Sequence, residues 1–121
     1  MAKKEKSGKK LTFGQKVQKI RNEWNRIRSA SNQKEAAVIQ KRKAGTITRT
    51  EEEKIRSKIT MDLRKKYEAD QRKRINLIKQ NPHKFTAWAK RSKRNGDLYI
   101  LAEQHNLITP TDLKGIPNRW D

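Results

Sequence analysis

The chain has 121 residues, with 32 Lys and Arg against 13 Asp and Glu for a net charge of +19; Leu, Ile, Val and Phe fill only 22 positions, about 18%. A chain of this size forms one domain at most, and so little apolar material under so much charge places it where ordering often needs a partner. The absence of cysteine excludes a disulfide framework and a thiolate metal site, and no apolar run approaches the ~18 residues of a membrane span.

In chain order, residues 1–11 read as a flexible Lys-rich arm, with Lys3, Lys4, Lys9 and Lys10 able to grip phosphates or simply to solubilise. The stretch MAKKEKSGKK lacks the apolar core of a secretory signal, so a cytoplasmic location is expected. Thr12 can cap a helix starting at Phe13. Phe13, Val17, Ile20, Trp24 and Ile27 then follow at spacings of 4, 3, 4 and 3, an apolar seam suited to packing on another helix. Ser29 to Gln33 is a weak helix former, and Asn32 with Glu35 three residues on resembles a new start. A second helix is therefore expected over about Gln33 to Lys43. It would end in Lys41, Arg42 and Lys43, with Gly45 as the residue after the C-cap.

The longest run without Gly or Pro is Thr50 to Gln80, around which the rest of the chain is expected to be arranged. Thr50 with Glu53 forms a capping-box pattern, and Asn81-Pro82 forbids continuation, giving a rod of roughly 46 Å at 1.5 Å per residue. Ile55, Ile59, Leu63 and Tyr67 fall at i+4 steps. The apolar residues then pause, so that Glu68 to Arg74 has only Ala69 to bury. Arg64-Lys65-Lys66 and Arg72-Lys73-Arg74 are spaced to face a polyanion.

Beyond the rod, Asn81-Pro82 supplies N-cap and N1 of a helix over His83 to Asn95, with Phe85, Trp88 and Ala89 on one face. Lys90, Arg91, Lys93 and Arg94 make the densest basic patch, and Gly96 is expected to stop this helix. Asp97 restarts one carrying Leu98 and Leu101, Leu107 follows it, and Thr109-Pro110 starts a last turn with Leu113, leaving Trp120 in a terminal tail. Leu101 to Leu113 resembles a helix-turn-helix, with Ala102 at the small position of the first helix and Asn106 where a turn glycine is usual, although Asp112 stands where the pattern wants an apolar residue.

Together these features predict an all-α fold: an elongated arrangement of about five helices around the long central helix 50–80, divided into a Lys-rich arm 1–11, a basic helical region 12–95 and a small apolar segment 96–121. Residues 96–121 sum to −2, which leaves +21 on residues 1–95. That asymmetry assigns polyanion contact to the first part and packing to the second.

No catalytic motif is present: His83 and His105 lie far apart in sequence, and there is neither HExxH, nor a glycine-rich phosphate loop, nor GxSxG. Neither a metal nor a cofactor nor a small-molecule substrate is expected. The expected function is non-enzymatic, largely sequence-independent binding of DNA or RNA through phosphate contacts. The alternatives are an adaptor whose basic surface meets an acidic protein, with 13–27 or 96–121 as the interface, and a helix-turn-helix regulator using 98–115. In composition alone the chain resembles small basic accessory proteins of phages, nucleoids and ribosomes.

Overall fold

The computed structural model describes residues 10–120. Over this span the chain is all-α, with no strand and five helices: α1 (Phe13–Lys43), α2 (Arg49–Gln80), α3 (Pro82–Arg91), α4 (Gly96–Gln104) and α5 (Pro110–Lys114). Lys3, Lys4 and Lys9 of the expected arm lie outside the described residues.

Thr12 caps α1 reciprocally with Gln15: Thr12 Oγ1 accepts from the Gln15 N–H at 3.1 Å, and the Thr12 N–H donates to Gln15 Oε1 at 2.9 Å. The helix then runs unbroken for 31 residues, so the expected interruption at Ser29 to Gln33 does not occur. Ser, Asn and Gln each cost only a few tenths of a kcal/mol within a helix. Within the continuous helix Ser31 and Val38 are both buried. Gly45, at φ 79°, closes α1 as expected. The Gly45 N–H donates to Arg42 O at 3.0 Å and the Thr46 N–H to Lys41 O at 2.9 Å, a Schellman motif.

The capping box of α2 lies two residues upstream of the expected Thr50–Glu53 pair. Glu51 N–H donates to Thr48 Oγ1 at 3.1 Å and Thr48 N–H to Glu51 Oε1 at 2.8 Å. Both pairs fit the pattern, but the Schellman turn is complete by Thr46, so the helix can begin at Arg49.

The described residues divide into two compact units. The first comprises those up to Ile20 and those from Arg72 onward. Its core takes Phe13 and Val17 from α1, Leu77 and Ile78 from α2, Phe85 and Ala89 from α3, and Leu98, Leu101 and Ala102 from α4, with Ile108 and Ile116 on either side of α5. Phe13 meets Phe85 and Trp88 with ring centroids at 6.0 and 5.5 Å. Ile20, Trp88, Leu107 and Leu113 pack against the same core, partly buried.

Two expectations fail here. The third helix ends at Arg91, not Asn95, and Gly96 begins α4. The reason is Asn95, which is fully buried: its Nδ2 donates to Ala89 O and to Pro117 O, both at 2.8 Å, and its Oδ1 accepts from the Arg119 N–H at 2.8 Å. The Asn95 carbonyl in turn accepts from Leu98 and Tyr99 N–H. One side chain thereby ties the end of α3, the start of α4 and the C-terminal segment together. Trp120 lies against Gly96, where only a missing Cβ leaves room for the indole.

The second unit, Arg21–Gln71, is an antiparallel hairpin of α1 and α2 residues. Arg42 Nε pairs with Glu52 at 2.8 Å, Arg56 pairs with Glu35 at 3.5 Å, and Trp24 meets Tyr67 with ring centroids at 5.4 Å. These pairs run in opposite directions along the two helices and define a single register. Apolar burial is thin: Ile55 and Tyr67 are exposed, Ile59 and Leu63 half-buried, and Val38 is the unit's one buried apolar residue.

Candidate nucleic-acid interface

The basic residues separate by burial into surface and internal groups. Lys41, Lys43, Arg64, Lys65, Arg72, Lys90, Arg91 and Lys93 are exposed and make no ion pair. Lys10, Lys66, Lys73 and Arg94 are also exposed, with Lys66 held by Asp62 at 3.1 Å. Two expected surface cations are instead internal. Arg42 is half-buried and committed to Glu52, itself buried at the hairpin's closed end. Arg74 is buried, and its Nη1 donates to Asp97 Oδ2 within the first unit.

That pair also corrects the reading of residues 68–74 as a stretch with little to bury, since Asp70 and Arg74 are both buried there. A charge inside a protein needs a partner. Asp97 supplies one for Arg74 while its Oδ1 accepts the Leu98 N–H at 3.0 Å, in the first turn of α4, where negative charge complements the helix dipole.

The densest patch, Lys90 to Arg94, is built on a fixed turn. Ser92 N–H donates to Trp88 O at 2.8 Å, Ser92 Oγ accepts from the Arg94 N–H at 3.2 Å, and Arg119 Nη1 donates to Ser92 O at 3.2 Å. With Asn95 buried beneath, the backbone under these cations is held by the fold itself, so any ligand contacting them would meet a lowered ordering cost. Composition located this patch; the buried amide that fixes it carries no recognisable spacing.

The expected packing residues are used within the chain. Phe13, Val17, Leu98 and Leu101 lie in the core of the first unit, and Trp24 is half-buried beside Tyr67. Ile27 lines a groove of the second unit, of about 180 Å³. The groove's half-buried apolar walls are Ile27, Ile59 and Leu63; Lys34, Lys58, Asp62 and Lys66, all exposed, form its rim. Ser31 also lines it, and the Ser31 Oγ is buried without a hydrogen-bond partner. A buried hydroxyl in that state costs roughly 1–3 kcal/mol relative to a satisfied one. The periodic apolar sets ending at Ile27 and running through Ile59 and Leu63 supply the walls, but only the hairpin register makes them neighbours, so the groove itself has no sequence pattern.

In the region resembling a helix-turn-helix, Asn106 adopts φ 52° and closes α4 as Gly45 closes α1, with Leu107 N–H donating to Ala102 O at 2.9 Å. The following helix, α5, has only 5 residues, capped by Thr109 Oγ1, which accepts from Asp112 N–H at 3.2 Å. Among the described residues no group of His, Asp and Glu could hold a metal ion, and no helix is long and apolar enough to cross a membrane. No family model matches the chain, and comparison with curated proteins and with solved structures gives no match.

Proposed function

We propose that the protein binds nucleic acid without catalysis, through phosphate contacts that depend little on sequence. The observation that carries this reading is the set of exposed Lys and Arg side chains without ion-pair partners, in a chain of net charge +19. Such a surface neutralises phosphates and so releases a polyanion's condensed counterions into solution, whereas an isolated exposed cation has little to contribute to folding. Lys90, Arg91 and Lys93 carry the most weight because their turn is preorganised.

The test is the salt dependence of binding to a 20-base-pair duplex. With six to ten phosphates neutralised, log K falls against log salt with a slope of about −0.9 per phosphate. Charge reversal at Lys90, Arg91 and Lys93 then weakens binding to all sequences alike and makes the slope shallower. A salt-independent affinity sinks the reading. So does protein that comes free of 260-nm-absorbing material at low salt without nuclease, an outcome that favours an acidic protein partner.

A further inference from the structure

The groove in the hairpin of the second unit has a shape and chemistry that phosphate contacts alone do not use. Its walls are aliphatic, Ile27 on one side and Ile59 and Leu63 on the other, and its volume is about 180 Å³. A dry cavity of about 150 Å³ is known to take one benzene ring, so one six-membered ring fits here with its substituents. Lys34 and Lys58 flank it from opposite helices, in the register set by Arg56 with Glu35, and neither makes an ion pair. The Ser31 hydroxyl is buried, lacks a partner and can both donate and accept. A planar ring with polar edges, attached to a phosphate, meets all three features.

We propose that the groove takes one unstacked pyrimidine of a single-stranded nucleic acid, its ring between Ile27 and Leu63 and its phosphate against Lys34 and Lys58. This deepens the phosphate-binding reading above and rests on it. A duplex keeps its bases stacked and cannot fill the groove without first extruding one. The protein therefore prefers single strands to duplexes, and pyrimidine strands to purine strands.

The experiment compares a twelve-residue oligo-dT, an oligo-dA of the same length, a matched duplex and free dTMP as ligands, by fluorescence anisotropy and amide chemical shifts at fixed salt. Wild type is expected to bind oligo-dT roughly tenfold more tightly than oligo-dA, the lower end of what discrimination by the size of an apolar pocket supplies. Amide shifts should centre on Ile27, Ser31, Ile59 and Leu63. Ser31→Leu, which fills the groove with a good helix former, removes this preference while leaving duplex affinity and salt slope unchanged. Lys34→Gln with Lys58→Gln weakens oligo-dT more than duplex.

Equal affinities for oligo-dT and oligo-dA overturn the proposal, as does a Ser31→Leu variant that is folded by circular dichroism and keeps the preference. Tighter binding of dTMP than of one residue in the strand also overturns it, assigning the groove to a free nucleotide. Salt-dependent duplex binding that survives all of these results leaves the phosphate-contact reading standing, so the two failures are distinguishable.

Discussion

At the scale of single residues, the side chains that organise the first unit are polar. Asn95 donates twice and accepts once in a fully buried setting, which an aspartate cannot reproduce because a carboxylate would face the carbonyls of Ala89 and Pro117. Asn95→Asp is expected to lower stability by roughly 2–4 kcal/mol, measured by urea denaturation. Arg72 and Arg74 make a second contrast. Charge reversal at exposed Arg72 should weaken nucleic-acid binding with little change in melting temperature; at buried Arg74 it sets two negative charges together and destabilises the fold first. Equal effects of the two substitutions on melting temperature would contradict this assignment. Sequence alone placed both arginines on one basic surface, because the partner of Arg74, Asp97, is 23 residues away and no local pattern signals it.

At the scale of elements, the helix ends set by residues within one turn were legible in the sequence, whereas the Thr48 cap of α2, the end of α3 at Arg91, the start of α4 at Gly96 and the helix interiors were not. Thr12, Gly45, Pro82 and Thr109 each act as their chemistry predicts, since a cap is decided by residues within one turn. The continuity of α1 through Ser29 to Gln33 was hidden because it depends on the facing helix, and the Thr48 cap because two overlapping boxes fit equally well. Of the candidate binding residues, exposure was readable from charge density, but the internal roles of Arg42 and Arg74 and the existence of the groove were not. The two left-handed C-terminal residues give a paired prediction. Gly45→Ala, with open space around the new methyl, costs about 1 kcal/mol from backbone strain alone. Asn106→Gly relieves the same strain and raises stability by a few tenths of a kcal/mol. Thermal melts of the two variants should move in opposite directions.

At the scale of the whole molecule, apolar burial is unequally shared. All the buried apolar residues but Val38 belong to the first unit, whereas the hairpin relies on ion pairs, one aromatic contact and half-buried side chains. Amide hydrogen exchange in Arg21–Gln71 is therefore expected to be faster than in the first unit, with Ile78, Phe85 and Leu98 slowest. Similar protection in both units would show that the hairpin has its own cooperative stability. Residues 96–121 contribute Leu98, Leu101, Ala102, Ile108 and Ile116 to the core, so a 1–95 truncation loses the cooperative unfolding transition by calorimetry while retaining +21 of charge. Slow exchange is expected around the turn at Lys90 to Arg94, which belongs to the first unit, and faster exchange around the groove, which belongs to the hairpin.

The three tryptophans fall in three separate settings: Trp24 beside Tyr67 in the hairpin, Trp88 against Phe13 in the core, and Trp120 over Gly96. Replacing any two with Phe leaves one emitter in one place, and exposed Trp120 is expected to emit to the red of half-buried Trp24 and Trp88. The chain thus carries its own optical labels, one for the hairpin, one for the core and one for the C-terminal clasp.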